Sequence, residues 1–276
     1  MCDWCMKYGH GRKWFENLEN YSKKMTEELG STPTKKFSRD FISEMEKMVA
    51  VHLRTALSAK DKKYWPSVKA EVERMFHKLH MGQVVTLKEA ETVLKIAEPI
   101  GKIGCACRRV TRGMESAKYC LGFGVGMYKW ENWPDFYRGG VEFLSPEEAV
   151  EFVQEMDKMG FVHSVWTFVT PFIGGFCNCD YPSCLGIRSR MDYGIKNLFK
   201  AHYVAKVNPE KCKGKCRGAV CVPRCQFGAL TFSPTLEKAV INAWKCFGCG
   251  LCETVCKSKA IELVPRESVP GLKGEW

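Results

Sequence analysis

Cys246-Phe-Gly-Cys249-Gly-Leu-Cys252-Glu-Thr-Val-Cys256, a C-x2-C-x2-C-x3-C run near the C-terminus, is the stretch on which the reading of this chain turns. Three thiolates spaced this closely wrap one face of an iron–sulfur cube, while the fourth lies too far along the chain to close the same cube easily. In two-cluster proteins a cysteine so placed ligates the other cluster. A looser group precedes the run: Cys212, Cys216, Cys221 and Cys225, spaced C-x3-C-x4-C-x3-C. Residues 211–257 therefore read as two metal-binding halves.

Working outward, the 276-residue chain carries sixteen cysteines. Spacings of two and three residues cannot be bridged usefully by disulfides and are typical of metal ligation. No run of about 18 apolar residues occurs, and Met1-Cys-Asp-Trp-Cys5 opens without a basic segment leading into an apolar one. The expected setting is the reducing cytoplasm, without direct membrane insertion, in an anaerobic or oxygen-poor physiology. A hydrophobic content of 45% supplies cores for more than one domain. The formal charge of +11 is spread along the chain with no dense Lys/Arg block. It reads as a surface for an acidic redox partner, and no nucleic acid is expected.

Upstream, Cys105-Ala-Cys107 closes a strand-like segment, Lys102–Cys107, and Cys177-Asn-Cys179 follows a second one, Phe161–Val169. Residues two apart on a strand share a face, so each pair can reach one metal or cluster. Cys120 and Cys184 add one thiol to each pair, and the six read as one shared third site. Arg108, Arg109, Arg112, Arg188 and Arg190 flank it, either as a pocket for an anionic substrate or, the favoured reading, as partners of local acids and of cluster charge. Trp166, Phe168, Phe172 and Phe176 lie near Cys177 as core or as a shield against water. At the N-terminus Cys2-x-x-Cys5, followed by His10, forms a knuckle that contributes to a zinc or cluster site completed elsewhere, or is a pair of ordinary thiols.

The remaining periodicity predicts helices over Lys13–Leu29, Asp40–Leu57 and Pro66–Leu79. Two capping boxes, Thr86-Leu-Lys-Glu89 and Ser145-Pro-Glu-Glu148, each open a helix that leads to a strand. Asp180-Tyr-Pro182 reads as a further helix start, and the stretch Gly194–His202 as the boundary of the last domain. His77 and His80 read as solvated or core histidines.

Val207-Asn-Pro-Glu-Lys-Cys212, Cys225-Gln-Phe-Gly-Ala-Leu230, Trp244-Lys-Cys-Phe-Gly-Cys-Gly-Leu-Cys252 and Cys256-Lys-Ser-Lys-Ala-Ile261 together resemble the two halves of a bacterial-type ferredoxin with two 4Fe-4S clusters. The resemblance covers roughly residues 200–265. It implies a pseudo-twofold fold in which Cys212, Cys216, Cys221 and Cys256 hold one cluster and Cys246, Cys249, Cys252 and Cys225 the other. Gln226 and Lys257 stand where the family places proline, and the first half carries extra residues between its ligands. A three-iron or more exposed first cluster is an alternative there. The front portion, with Gly104-Cys-Ala-Cys-Arg-Arg109, Tyr119-Cys-Leu-Gly122 and Gly175-Phe-Cys-Asn-Cys-Asp180, is similar to the cysteine-rich front half of some ferredoxin-type proteins of anaerobes.

The expected fold class is α+β. A helical N-terminal region and an α+β cysteine-rich domain fill residues 1–199, and a ferredoxin-like dicluster domain fills 200–276. The expected function is single-electron transfer, as a carrier or as a subunit of a redox complex. Two alternatives accompany it: a reductase with a third iron–sulfur or metal centre in the front half, and a docking module with a structural zinc fused to the ferredoxin.

Overall fold

The computed structural model describes residues 2–21, 58, 62–124, 127, 140–169, 171–214, 216 and 219–274. The expected helix Asp40–Leu57 and the end of Lys13–Leu29 lie outside them. Helix α1 (Asp3–Tyr8) leads into two short 3-10 segments, Trp14–Glu16 and Leu18–Tyr21. The helix expected from Lys13 therefore does not begin there. Adjacent Trp14 and Phe15 are both buried, and the backbone closes in short turns, Glu16 N–H to the Lys13 carbonyl and Asn17 N–H to the Trp14 carbonyl, instead of helical bonds. The Asn20 amide donates to the Trp14 carbonyl and the Tyr21 hydroxyl to the Phe15 carbonyl, holding the tight turns.

Helix α2 (Trp65–Leu79) starts with proline in its first turn and ends at His80, which adopts a left-handed conformation with φ 44°. Then follow β1 (Gly82–Val85), α3 (Leu87–Leu94), β2 (Ile100–Ile103), α4 (Ala106–Arg112) and β3 (Cys120–Phe123). Next come β4 (Glu142–Leu144), α5 (Pro146–Met159), β5 (Val162–Val169), β6 (Phe172–Cys179), α6 (Leu185–Tyr193) and β7 (Leu198–Phe199). Both capping boxes form: Thr86 and Ser145 accept from the amides of Glu89 and Glu148, whose carboxylates accept from the cap amides in return. Thr86→Ala is expected to cost about 1 kcal/mol in chemical denaturation, with unchanged slope against denaturant.

Among the described residues, seven strands form one mixed sheet in the order β4-β2-β3-β6-β5-β1-β7. All pairings are antiparallel except β1 with β7. The order exposes a duplication: β1-α3-β2-β3 and β4-α5-β5-β6 are the same β-α-β-β unit. They meet at the β3–β6 pairing and exchange first strands, so that β4 pairs β2 and β1 pairs β5. Helices α3 and α5 contribute Ala90, Val93, Leu94, Ala149 and Val153 to one core with Trp14, Phe15, Leu121, Ile173 and Phe176. Phe172 is buried and Phe176 packs against Phe123 and His163, so these two are core. Trp166 instead lies over Gly82 and Gly186, where added Cβ atoms would fall 2.8 and 2.4 Å from its ring.

After Phe199 the chain leaves this sheet. Strands β8 (Tyr203–Val207), β9 (Leu230–Ser233), β10 (Lys238–Ile241) and β11 (Ile261–Pro265) make two antiparallel ribbons, β8 with β11 and β9 with β10, and α7 (Leu251–Thr254) is a single helical turn. The class is α+β. No helix among the described residues is long and apolar enough to cross a membrane.

Candidate metal centres

The C-terminal ribbons carry a local repeat. The Cys212 amide donates to the Asn208 carbonyl, and the Cys246 amide to that of Asn242, each at 3.1 Å. Asn208 in turn donates its amide to Ala260, and Asn242 to Ala229, at 2.7 and 2.8 Å. The Ala229 amide donates to Cys225 Sγ at 3.2 Å and that of Ala260 to Cys256 Sγ at 3.3 Å. Both alanines follow a residue with positive φ, Gly228 and Lys259. Each half thus starts at an Asn-x3-Cys turn and ends at a Cys-x3-Ala turn that enters a strand. The segment between them is longer in the first half than in the second, and among its described residues it forms turns where the second has α7.

This arrangement crosses the thiols between the halves. Burial pushes the Cys221 thiol up, and the charges of Cys216, Cys256 and Cys212 add to the shift. Cys252 is raised by burial and by Cys249, Cys246 and Cys225, while Cys249 is pushed up to about 12 by burial, with Cys246 and Cys225 adding. The neighbours of Cys221 therefore include Cys256 from the second half, and those of Cys252 include Cys225 from the first. No three of these sulfurs lie within 4.8 Å of one another. That spread is wider than a single tetrahedral ion needs, about 3.8 Å from Zn–S bonds of 2.3 Å, and leaves room for a polynuclear centre. Cys246, Cys249 and Cys252 are buried, whereas Cys216 is exposed, so the first group is the more open.

All six front thiols converge as well, but not in the way the strand pattern implies. Strand β2 ends at Ile103. Cys105 is the N-cap of α4 and Cys107 sits in its first turn. The Cys105 amide donates to the Ala117 carbonyl at 2.7 Å, which turns the chain out of the sheet. Cys184, not Asp180, caps α6, and its sulfur accepts from the Ile187 amide at 3.5 Å. Cys177 and Cys179 end β6, with Cys177 opposite Cys120 of β3 and their sulfurs 3.8 Å apart.

The Cys105 thiol is held low by hydrogen bonds from Cys107, Cys120 and Cys179, helped by the Arg108 amide. Cys184 is held low by Cys107 and Cys179, helped by the Ile187 amide. Cys107, Cys120 and Cys179 are correspondingly raised, first by their thiolate neighbours and then by burial. Cys107 and Cys179 each interact with both Cys105 and Cys184, Cys120 joins through Cys105, and Cys177 joins through Cys120. Here too no three sulfurs lie within 4.8 Å of one another.

The arginines pair locally. Buried Arg108 bonds Asp180 and lies over the rings of Tyr119 and Phe161 at 4.3 and 4.8 Å. Arg188 donates to Asp192 at 2.8 Å, Arg112 to Ser183 at 3.3 Å, and Arg190 lies over Phe247. The front and C-terminal thiols share one apolar cluster. Cys179 and Cys184 belong to it with Phe227, Phe247 and Cys249, and the two phenylalanines stack at 4.0 Å. Gln226 is part of the same junction: its side-chain carbonyl accepts from the Tyr181 amide and its side-chain amide donates to the Gly160 carbonyl.

At the N-terminus Cys2 and Cys5 meet His202, a residue that nothing in the local sequence marks as a ligand. His10 is exposed and lies by Glu19 instead. The fold and the grouped thiols fit a metal-binding protein of mixed α+β class. Comparison with known protein families, with curated proteins and with solved structures found no match.

Proposed function

We propose that the chain passes single electrons through two 4Fe-4S clusters, one held by Cys212, Cys216, Cys221 and Cys256, the other by Cys246, Cys249, Cys252 and Cys225. The observation that carries this reading is the pairing of β11 with β8 and of β9 with β10, with the Asn208 amide on the Ala260 carbonyl and the Asn242 amide on that of Ala229, which brings the Cys-x3-Ala turn of each half to the Asn-x3-Cys turn of the other. The donor set fits the group. Amides of Ala205, Ala229 and Ala260 donate to the sulfurs of Cys246, Cys225 and Cys256 at 3.4, 3.2 and 3.3 Å. Such clusters, when bound, take up and release one electron each within ordinary biological potentials.

The protein's own residues then set the conditions. N–H donors stabilise negative charge on the thiolates and so favour the reduced state. Phe227 and Phe247 keep water from the second group on the side facing Cys184. Lys211 and Lys213, a few positions before exposed Cys216, are exposed. They supply the positive surface to which an acidic redox partner docks.

A second reading, a third centre in the front half feeding or fed by the other two, rests on the apolar cluster that joins Cys179 and Cys184 to Cys249. Although the sulfurs of Cys120 and Cys177 stand 3.8 Å apart, no three of the six front sulfurs lie within 4.8 Å of one another, which favours a polynuclear centre over the zinc of a docking module.

Iron and acid-labile sulfide analysis of anaerobically prepared protein, with EPR after reduction, tests both readings. About eight irons per chain that survive a Cys107→Ser/Cys179→Ser double substitution support two clusters alone. About twelve, falling by about four in that variant, supports the third centre. Fewer than about eight overturns the two-cluster reading, and zinc lost without iron in the variant restores the docking module.

A further inference from the structure

Cys2 is the N-cap of α1 and Cys5 lies one turn further on, so both sulfurs project from the same end of this short helix. His202 comes from the crossover between β7 and β8, where the chain passes from the large sheet to the C-terminal ribbons. The two sulfurs are 3.4 Å apart, and His202 Nε2 lies 3.7 Å from Cys2 Sγ and 3.2 Å from Cys5 Sγ. Tetrahedral zinc with Zn–S of 2.3 Å and Zn–N near 2.0 Å sets edges of about 3.8 Å between sulfurs and about 3.5 Å from sulfur to nitrogen. The triangle matches these edges to within a few tenths of an ångström. Among the described residues it is the one group of three potential ligands this compact.

A cavity of about 250 Å³ adjoins the triangle at Cys2, the one of the three residues that lines it, and is walled by His77, His80, Gln83, Phe199 and Glu267. His80 is 1% exposed, and its Nδ1 has no hydrogen-bond partner among the described residues. The orientation of its ring is determined by Gln83. Trp14 Nε1 donates to Gln83 Oε1 at 2.8 Å, and His80 Nε2 shares that oxygen at 2.9 Å. His80 Nε2 therefore carries the proton and Nδ1 is a bare acceptor. Burial, which holds the His80 pKa down to about 3, keeps the ring neutral. Gln83 Nε2 in turn stands 3.5 Å from His202 Nδ1 and 3.4 Å from the Lys200 carbonyl. When His202 ligates through Nε2 its proton sits on Nδ1, and the Gln83 N–H is left to Lys200.

We propose that Cys2, Cys5 and His202 bind a zinc ion whose fourth position is open to this cavity and is filled by an exchangeable water or another small hydrogen-bond donor. Two thiolates and one imidazole with an open position is a donor set used by catalytic rather than purely structural zinc. His80 is the cavity's acceptor for a donor bound at the metal. The proposal is independent of the iron–sulfur reading, since none of its ligands belongs to the other thiol groups.

Zinc analysis of the full chain tests it, with iron measured on the same samples. His202→Gln retains all sixteen cysteines, so a metal lost in that variant cannot be assigned to thiol groups elsewhere. One zinc per chain is expected in the parent and in His10→Gln, and none in His202→Gln or in Cys5→Ser, with iron unchanged in all. Zinc retained in both ligand variants overturns the site, as does a parent that holds no zinc but a Cys2–Cys5 disulfide, detected as the loss of two hydrogens in mass. Cobalt in place of zinc reports the fourth position. Free imidazole, which binds metal through one nitrogen and keeps an N–H for His80, is expected to shift the visible cobalt bands, and unchanged bands overturn the open position.

Discussion

Replacing Cys256 with serine is expected to disrupt the cluster proposed at Cys212, Cys216 and Cys221, far upstream, and to spare the one proposed at its sequence neighbours Cys246, Cys249 and Cys252. The reason is geometric. After α7 the chain turns at Cys256 and enters β11, which pairs with β8. Strand β8 leads directly to the Asn208–Cys212 turn, so pairing β11 with β8 carries Cys256 to the first group. The same construction in the other ribbon, β9 with β10, carries Cys225 to the turn that starts at Asn242. Cys225→Ser should therefore disrupt the second cluster and spare the first. Each variant is expected to lose up to four of about eight irons and one of two overlapping EPR signals. If each lost the cluster nearest in sequence instead, the crossed assignment would fail. The first group, with exposed Cys216, is expected to lose its cluster to air more quickly in the parent protein.

How much of this was legible in the sequence depends on how local each feature is. The C-x2-C-x2-C-x3-C run and both capping boxes are short-range constructions, and residues within four positions of one another decide them. The front six cysteines were recognisable as a group, but their local geometry was not. Lys102–Cys107 alternates well enough for a strand. What ends the strand at Ile103 is the bond from the Cys105 amide to the Ala117 carbonyl, a contact across a loop. The segment from Lys13 had helical spacing at Trp14, Leu18 and Tyr21, yet buried Phe15 lies outside that stripe, and the Asn20 side chain replaces helical hydrogen bonds with turns. His202 was least accessible. Its partners are Cys2 and Cys5, about two hundred positions away, and no periodicity connects residues so distant. The duplication had a sequence trace in the two capping boxes, but the exchange of first strands is set by sheet pairing alone.

Arg266→Met is expected to lower stability by about 3–5 kcal/mol and to release metal from two places at once. Arg266 is 0% exposed. Its guanidinium donates to the carbonyls of Ala201, Tyr203 and Cys246 at 3.0, 2.9 and 2.8 Å. Methionine fills much of the space but donates nothing, so three carbonyls lose a buried donor, each at about 1–3 kcal/mol before relaxation. Two of them flank His202, and the third belongs to the first thiol of the second cluster's run. Close packing leaves little room to adjust: a Cβ on Gly248, whose φ is +72°, would fall 2.1 Å from the Tyr203 carbonyl. Iron of the proposed second cluster and zinc at the proposed Cys2, Cys5 and His202 site should therefore both be lost at a lower denaturant concentration than in the parent, while the cluster proposed at Cys212, Cys216, Cys221 and Cys256 persists to a higher one. Arg266→Lys, which keeps the charge but offers one point of attachment instead of a planar fork, should recover only part of the loss. Denaturation followed by iron absorbance and by zinc release in one titration reads all three. An Arg266→Met protein with parental stability and metal content would show that the 201–203 crossover is held by other contacts.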